Sequence, residues 1–273
     1  MCRLLGVAAN STVYLTFSLL LAPNSLRSQS RENPHGWGIA AYKGGWSLWK
    51  EAYSAEESTE FEKRSHEASG NIIISHLRKA TVGQKTLPNT HPFHHANWML
   101  AHNGTVRNSR NLKVGGEFLP KGNTDSERIF CALLSDLQEH CEKVTGVTVK
   151  DVEQSLHRVV RQCLLLDPAC KINLVFSDGS LLYVFRHGHP LFWLVRESRS
   201  RESLQSKTME MQEQQTIPGE KAVLVATEIL TSENWQEVVP DRLLFADPNN
   251  VEPGLQRVEK DAKGAIDAKD ADH

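Results

Sequence analysis

The chain has 273 residues, 40% of them hydrophobic and 23% charged, with a formal net charge of −2. That length allows one large domain or two small ones, and the charge gives no electrostatic reason to expect nucleic acid or an anionic membrane surface as a partner. No stretch reaches the roughly 18 consecutive apolar residues of a membrane span, and the cysteines at 2, 131, 141, 163 and 170 form no C-x-x-C pair and leave an odd one over, which points to a reducing, cytoplasmic compartment.

The chain opens "MCRLLGVAAN", a cysteine directly behind the initiator methionine and ahead of a strand-like apolar run, Arg3 to Ala9. The next segment, "VYLTFSLLLAP" from Val13 to Pro23, has the look of a secretory h-region. Against that reading, only Arg3 precedes it as a positive charge, and Thr16 and Ser18 interrupt it. "GIAAYKGGWSLWKEAY" predicts a hairpin around Gly44-Gly45, Ser58 to Ser69 a polar helix, and "NIIISHLR" and "NWMLAHNG" buried strands. Two amphipathic helices follow, one opened by Thr124 or Asp125 and one carrying Val152, Leu156, Val159, Val160 and Cys163 on a single face. Cys131 and Cys163 read as small core residues within them, whereas Cys141 and Cys170 suggest no role. The second half returns to strands, with a hairpin around Asp178-Gly179, then "PLFWLVR" and "KAVLVATE". Residues 197–220 read as a long flexible loop and 252–273 as a charged tail. Strands, then helices, then strands again indicate an α+β fold of two mostly antiparallel sheets packed face to face with helices outside, in one domain over 2–250.

Four strings carry chemistry: "MC", "HLRKAT" (76–81), "AHNG" (101–104) and "NTDSE" (123–127). Freed of Met1, Cys2 would hold a thiol beside an α-amine whose ordinary pKa near 8 suits it as the base that removes the thiol proton. Attack on a carbonyl creates an oxyanion, and the Asn103 amide and Gly104 N–H are suitable donors. Arg78 offers a bidentate fork for a carboxylate and Thr81 a hydroxyl donor. Asp125 could accept from an ammonium, or simply cap the helix. Together these describe a site for an α-amino acid with a side-chain carbonyl, such as glutamine.

These strings, in this order, resemble the class II glutamine amidotransferases, Ntn-type glutaminase domains with an N-terminal cysteine nucleophile. "MCRLLG", "GWGIA", "TDSE" and "NWQEVVP" look most like the stand-alone YafJ-like branch, related to EgtC-type γ-glutamyl hydrolases. The resemblance implies a four-layer αββα sandwich and a γ-glutamyl thioester on Cys2. It implies Asn103 and Gly104 as the oxyanion hole, Arg78 and Thr81 at the substrate carboxylate, and Asp125 at its α-amine. It implies no metal and no organic cofactor. His35 departs from the aspartate that many relatives carry before the Gly-Trp-Gly string, and Lys79 and Val82 replace aromatic or histidine residues of some synthase-linked relatives.

Each residue also has a plainer reading. Cys2 alone would be an inert terminal thiol, Arg78 an ion-pair residue, Thr81 a loop residue and Asn103-Gly104 a turn. His76, His91, His94, His95 and His102 cluster in sequence, but "HPFHH" lacks the spacing of a helical ligand pair, so no metal site is expected. His102 is expected to orient the Asn103 turn. Trp37 is expected to pack in a sheet face or to wall the pocket. Three functions follow: a self-sufficient hydrolase of glutamine or another γ-glutamyl amide, a glutaminase subunit feeding ammonia to a separate synthase, or a catalytically silent amino-acid-binding protein.

Overall fold

Behind Cys2 the β-prone run does form a strand, and a longer one than its apolar stretch suggests. The computed structural model of the chain describes residues 1–197 and 219–255, and in it β1 spans Arg3–Tyr14. Its register shifts between Ala8 and Val13, bracketing the polar Asn10-Ser11-Thr12 segment. The apolar segment at 13–23 belongs to the folded body. Val13 and Tyr14 pair with Gly70 and Ser69, Phe17–Leu21 form one π-helical turn, and Leu15, Leu19 and Ala22 are buried.

A short α1 (Leu26–Gln29) leads to the expected hairpin, β2 (Trp37–Tyr42) and β3 (Trp46–Glu51), which turns at Gly44-Gly45. Next come α2 (Thr59–Glu67) and β4 (Ser69–Leu77). Ser58 caps α2 by accepting the Phe61 N–H at 2.9 Å. The hairpin β5 (Phe93–His95) and β6 (Trp98–Thr105) precedes the two long helices, α3 (Asp125–Cys141) and α4 (Val149–Leu166). The chain ends in β7 (Lys171–Ser177), β8 (Leu182–His187), β9 (Phe192–Glu197), β10 (Lys221–Ala226), β11 (Gln236–Glu237), β12 (Leu243–Asp247) and β13 (Asn250–Leu255).

The strands form two antiparallel sheets, ordered β11-β9-β10-β1-β4-β2-β3 and β13-β12-β8-β7-β6-β5. Period-two alternation sends Leu4 and Ala8 to one face of β1 and Leu5 and Val7 to the other, so the sheets are apolar on both sides. Three buried clusters result. One lies between the sheets, where Leu4, Ile72, Ile74, Met99, Ala101 and Val175 meet. The sheets approach so closely there that a Cβ on Gly6 would stand 2.6 Å from Val175 Cγ1. A second cluster lies under α1, α2 and the π-helical turn, and a third under α3 and α4, where Leu133, Leu134, Leu137 and Leu156 cover Trp98 and Leu100. Each leucine buried this way contributes roughly 1.5–3 kcal/mol. The layers run helix, sheet, sheet, helix, as the αββα expectation requires.

Several expectations need correction or addition. Trp37 is fully buried in the outer cluster, edge-on to Phe61 with centroids 5.2 Å apart, and its Nε1 donates to Glu51 Oε2 at 2.9 Å. It is a core residue and lines no part of the cleft described below. The segment expected as a tail from Glu252 begins inside β13, which pairs with β12. The remainder of that tail and residues 198–218 of the expected loop lie outside the described residues. Cys131 and Cys163 are buried in the helical cluster, and Cys170 is buried beside them. Among the described residues no helix is long and apolar enough to cross a membrane.

Candidate active site

The order of the first sheet puts β1 between β4 and β10, so the start of β1 emerges between the ends of both neighbours. Arg3 pairs with Leu77 and Leu5 with Ala226, which sets Cys2 beside the exit of β4 at Arg78. The half-buried Cys2 Sγ accepts the Lys79 N–H at 3.3 Å and lies 3.6 Å from the Lys79 carbonyl. Burial pushes the Cys2 thiol up from its ordinary value. The Lys79 N–H, the nearby α-ammonium and Arg78 act against that, and Asp125 adds to it. Burial also pulls the Met1 α-amine below its usual value. Burial thus favours the neutral thiol and neutral amine over the thiolate–ammonium pair, and the lowered amine is available as a base.

Arg78 is buried, and its guanidinium organises the loop that follows it. Nη1 donates to the Gln84 carbonyl at 2.8 Å, and Nη2 donates to those of Val82 and Gly83 at 2.9 and 3.4 Å. Thr81 is exposed on this loop and makes no side-chain hydrogen bond among the described residues. Asn89 closes the loop's far end, donating to the Gln84 carbonyl at 3.0 Å and to Asn123 Oδ1 at 2.8 Å. The Asn123 N–H returns a bond to Asn89 Oδ1 at 2.9 Å, tying the loop to the start of α3.

At that start Thr124 is the N-cap, its hydroxyl accepting the Glu127 N–H at 3.2 Å. Asp125 therefore is not the cap. Its buried carboxylate accepts the Val106 N–H at 2.8 Å through Oδ2 and the Ser126 N–H at 2.9 Å through Oδ1, so it joins α3 to the end of β6. His102 reinforces this junction. Its Nδ1 lies 2.8 Å from Ser126 Oγ and its Nε2 lies 3.3 Å from the Lys171 carbonyl. A carbonyl only accepts, so Nε2 carries the proton and Nδ1 takes the Ser126 hydroxyl. Burial lowers the His102 pKa, keeping it neutral. These contacts tie His102 to α3 and β7, and the Asn103-Gly104 pair expected as a turn is strand within β6.

Asn103 faces the other way, buried toward the inter-sheet side, with no side-chain hydrogen bond among the described residues. It lines a cleft of about 180 Å³ together with Met1, Arg3, His189, Phe192 and Glu228. Gly104 follows at a place where a side chain cannot fit: a Cβ would stand 1.8 Å from the Lys171 carbonyl oxygen. The two-residue β5–β6 connection makes His95–Trp98 a hydrogen-bonded pair, and the bonding edge then alternates along β6. By that parity the Gly104 N–H points away from β7, on the edge that β5 leaves open beyond its pairing of Phe93 with Leu100.

The sequence flagged His35 only as a departure. Its Nδ1 accepts the Ala80 N–H at 3.0 Å, and its own N–H donates to the Arg78 carbonyl at 3.0 Å. It thus extends the β2–β4 pairing past Arg78 and fixes the root of the loop. Beneath the site, His76 and His91 stack with centroids 4.0 Å apart, both buried. Among the described residues none of their four ring nitrogens meets a partner in hydrogen-bonding geometry. Burial lowers the His76 pKa to about 3 and takes His91 down in the same direction. No group of three or more His, Cys, Asp or Glu among the described residues is placed to hold a metal ion.

Residues 1–264 match the family model of the class II glutamine amidotransferases. The chain is 31% identical over 248 residues to MJ1515 of Methanocaldococcus jannaschii, covering 86% of this chain and 66% of that one. It is 30% identical over 253 residues to YafJ of Escherichia coli, covering 88% and 95%. A third relative, the γ-glutamyl-hercynylcysteine sulfoxide hydrolase of Mycobacterium tuberculosis, is 27% identical over 208 residues, covering 72% and 81%. Among solved structures, a predicted glutamine amidotransferase from Pseudomonas aeruginosa superposes with a TM-score of 0.62 at 25% identity, covering 91% of this chain and 98% of that one.

Proposed function

The chain belongs to the class II glutamine amidotransferases, and from that premise we propose that it hydrolyses the side-chain amide of glutamine or of another γ-glutamyl compound. Residues 2–250 act as one catalytic unit, and Cys2 is the nucleophile once Met1 has been removed. The new α-amine takes the Sγ proton, and the thiolate attacks the substrate Cδ. The Asn103 amide and Gly104 N–H hold the oxyanion. The C–N bond then breaks, the amine nitrogen leaving with the proton held by the α-ammonium, and a γ-glutamyl thioester remains. Water, losing its proton to the same amine, releases glutamate and restores the thiol.

Arg78 and Thr81 receive the substrate α-carboxylate and Asp125 its α-ammonium. Both charged groups already bond within the fold, which orients them. A guanidinium has five N–H donors and a carboxylate about four acceptor positions, so each keeps capacity for a ligand. Cytoplasmic thiol chemistry fits an N-terminal cysteine, because the free thiol is the reactive form.

One observation carries this reading. Cys2 Sγ meets the Lys79 N–H beside Arg78, and its chain neighbours Met1 and Arg3 line the cleft that Asn103 also lines. Hydrolysis without an acceptor domain is favoured by the match to the mycobacterial hydrolase and by coverage of 95% of YafJ. Purified enzyme assayed for glutamate release from glutamine and γ-glutamyl amides tests it. Cys2→Ala is expected to abolish turnover in a folded protein, and turnover surviving that change would refute the mechanism. Strong stimulation by a co-purifying synthase would instead favour the ammonia-delivery reading.

A further inference from the structure

The cleft beside Asn103 is larger than ammonia requires. At about 180 Å³ it exceeds by an order of magnitude the roughly 10–15 Å³ that a single water needs. Its position is also specific. Arg78 sits at the end of β4, on one side of β1, whereas Glu228 follows β10 on the other. If the amino-acid end of a γ-glutamyl amide lies against Arg78 and its carbonyl oxygen against Asn103, the amine half extends across β1 into this cleft.

Arg3 lines that cleft, and its contacts change with processing. Nη1 donates to the Met1 carbonyl at 3.0 Å and weakly to that of Cys2 at 3.4 Å. Nη2 faces Glu228, itself a lining residue of the cleft, at 3.3 Å and Glu32 at 3.7 Å, which restrains the guanidinium. Nε is buried and has no hydrogen-bond partner among the described residues. Removal of Met1 deletes the acceptor of the shortest of these hydrogen bonds. It leaves an N–H of a restrained guanidinium open beside the new α-amine, in a cleft that Met1 no longer lines.

We infer that this cleft receives the leaving amine and that Arg3 selects amines carrying a carboxylate next to the nitrogen. The preferred substrate class is then a γ-glutamyl α-amino acid, hydrolysed with water to glutamate and the free amino acid. The inference rests on the assignment of Cys2 as nucleophile, and it deepens that assignment by naming the other half of the substrate. Phe192, with its partly buried ring, and neutral His189, whose pKa burial lowers, give the cleft walls suited to an uncharged amino-acid side chain.

The test compares γ-L-glutamyl-L-alanine with γ-L-glutamylethylamide, which has the same amide and lacks only the carboxylate. A charge-assisted bond to Arg3 predicts a kcat/KM at least about tenfold higher for the alanine compound. Arg3→Met is expected to bring the two within about twofold. Equal turnover of the two amides by the unaltered enzyme overturns the inference, as does a preference that survives Arg3→Met. Calorimetric binding of both compounds to Cys2→Ala separates this inference from the mechanism it rests on. Tighter binding of the alanine compound supports the cleft assignment even where turnover is absent and the Cys2 chemistry fails. Equal binding overturns the assignment even where turnover and the role of Cys2 hold.

Discussion

Gly104→Ala asks whether the end of β6 is held to the tolerance that oxyanion stabilisation demands. The added Cβ would stand 1.8 Å from the Lys171 carbonyl oxygen and 2.6 Å from His102 Nε2. Contacts under 3.0 Å essentially never occur for a real Cβ, so the backbone at 104 must move by at least 1.2 Å relative to Lys171. The obstacle is backbone, and the Gly104–Ile172 pairing leaves little slack. The shift therefore falls on the Gly104 N–H and on Asn103 next to it. Displacing a reacting group by about 1 Å can cost about 100-fold, and losing one oxyanion donor costs about 100- to 1000-fold. Overpacking of this kind also costs about 1–3 kcal/mol of stability. Steady-state hydrolysis of a γ-glutamyl amide should show kcat reduced by two to three orders of magnitude, with circular dichroism confirming a folded protein. Gly45→Ala, where a Cβ meets nothing within 4 Å, should leave kcat unchanged. A folded Gly104→Ala enzyme with wild-type kcat would refute the assignment of this backbone to the oxyanion site.

Two further outcomes depend on pH. The folded state holds His76 neutral down to about pH 3, whereas the unfolded chain takes up the proton near pH 6.5. The unfolded state therefore binds more protons across that window, and stability falls as pH drops through it, by about 2 kcal/mol at pH 5 from His76 alone. His91 adds to the loss in the same direction. Urea midpoints measured at pH 7.5 and 5 should differ accordingly, less so in His76→Leu, and a pH-independent midpoint would contradict the account. For activity, burial lowers the α-amine at Met1, and the same burial is expected to act on the amine that Cys2 would gain. kcat/KM should rise with pH through a midpoint below the ordinary value of about 8 and fall as the amine protonates beneath it. A midpoint above 8 would count against the amine as base.

Much of this arrangement is legible in the sequence because local pattern and tertiary role agree. The α3 and α4 stripes, the Gly44-Gly45 turn and the buried runs at β4, β6 and β7 are each set by short-range periodicity and turn chemistry. β1 reads short because its polar middle, Asn10 to Thr12, interrupts the apolar signal at a register shift. β13 is hidden by Pro253 and Gly254, residues that argue against a strand, yet at a sheet edge a missing N–H is tolerated. The site strings place Cys2, Arg78 and Asp125 at element ends, whereas Asn103 and Gly104, expected as a strand-ending turn, lie inside β6 opposite Asn173 and Ile172. What they cannot give is what each side chain is already bonded to. Trp37 reads equally as core or pocket wall until the face of β2 is known. That Asp125 holds the Val106 N–H, that Arg78 threads its own loop, and that His35, Asn89 and Asn123 clamp that loop are contacts between segments far apart in the chain. Arg3 gives no signal at all, since the role proposed for it depends on the carbonyl of Met1, which that proposal has removed.

The central claim is that the working nucleophile is a cysteine with a free α-amine, made by removing Met1. Intact-mass analysis of the purified protein, before and after incubation with an electrophilic glutamine analogue, tests it in one measurement. The account predicts a chain lacking Met1 that gains a single adduct, located on the N-terminal peptide and absent from Cys2→Ala. A chain that retains Met1 and still hydrolyses substrate, or an adduct carried by another cysteine, would contradict it.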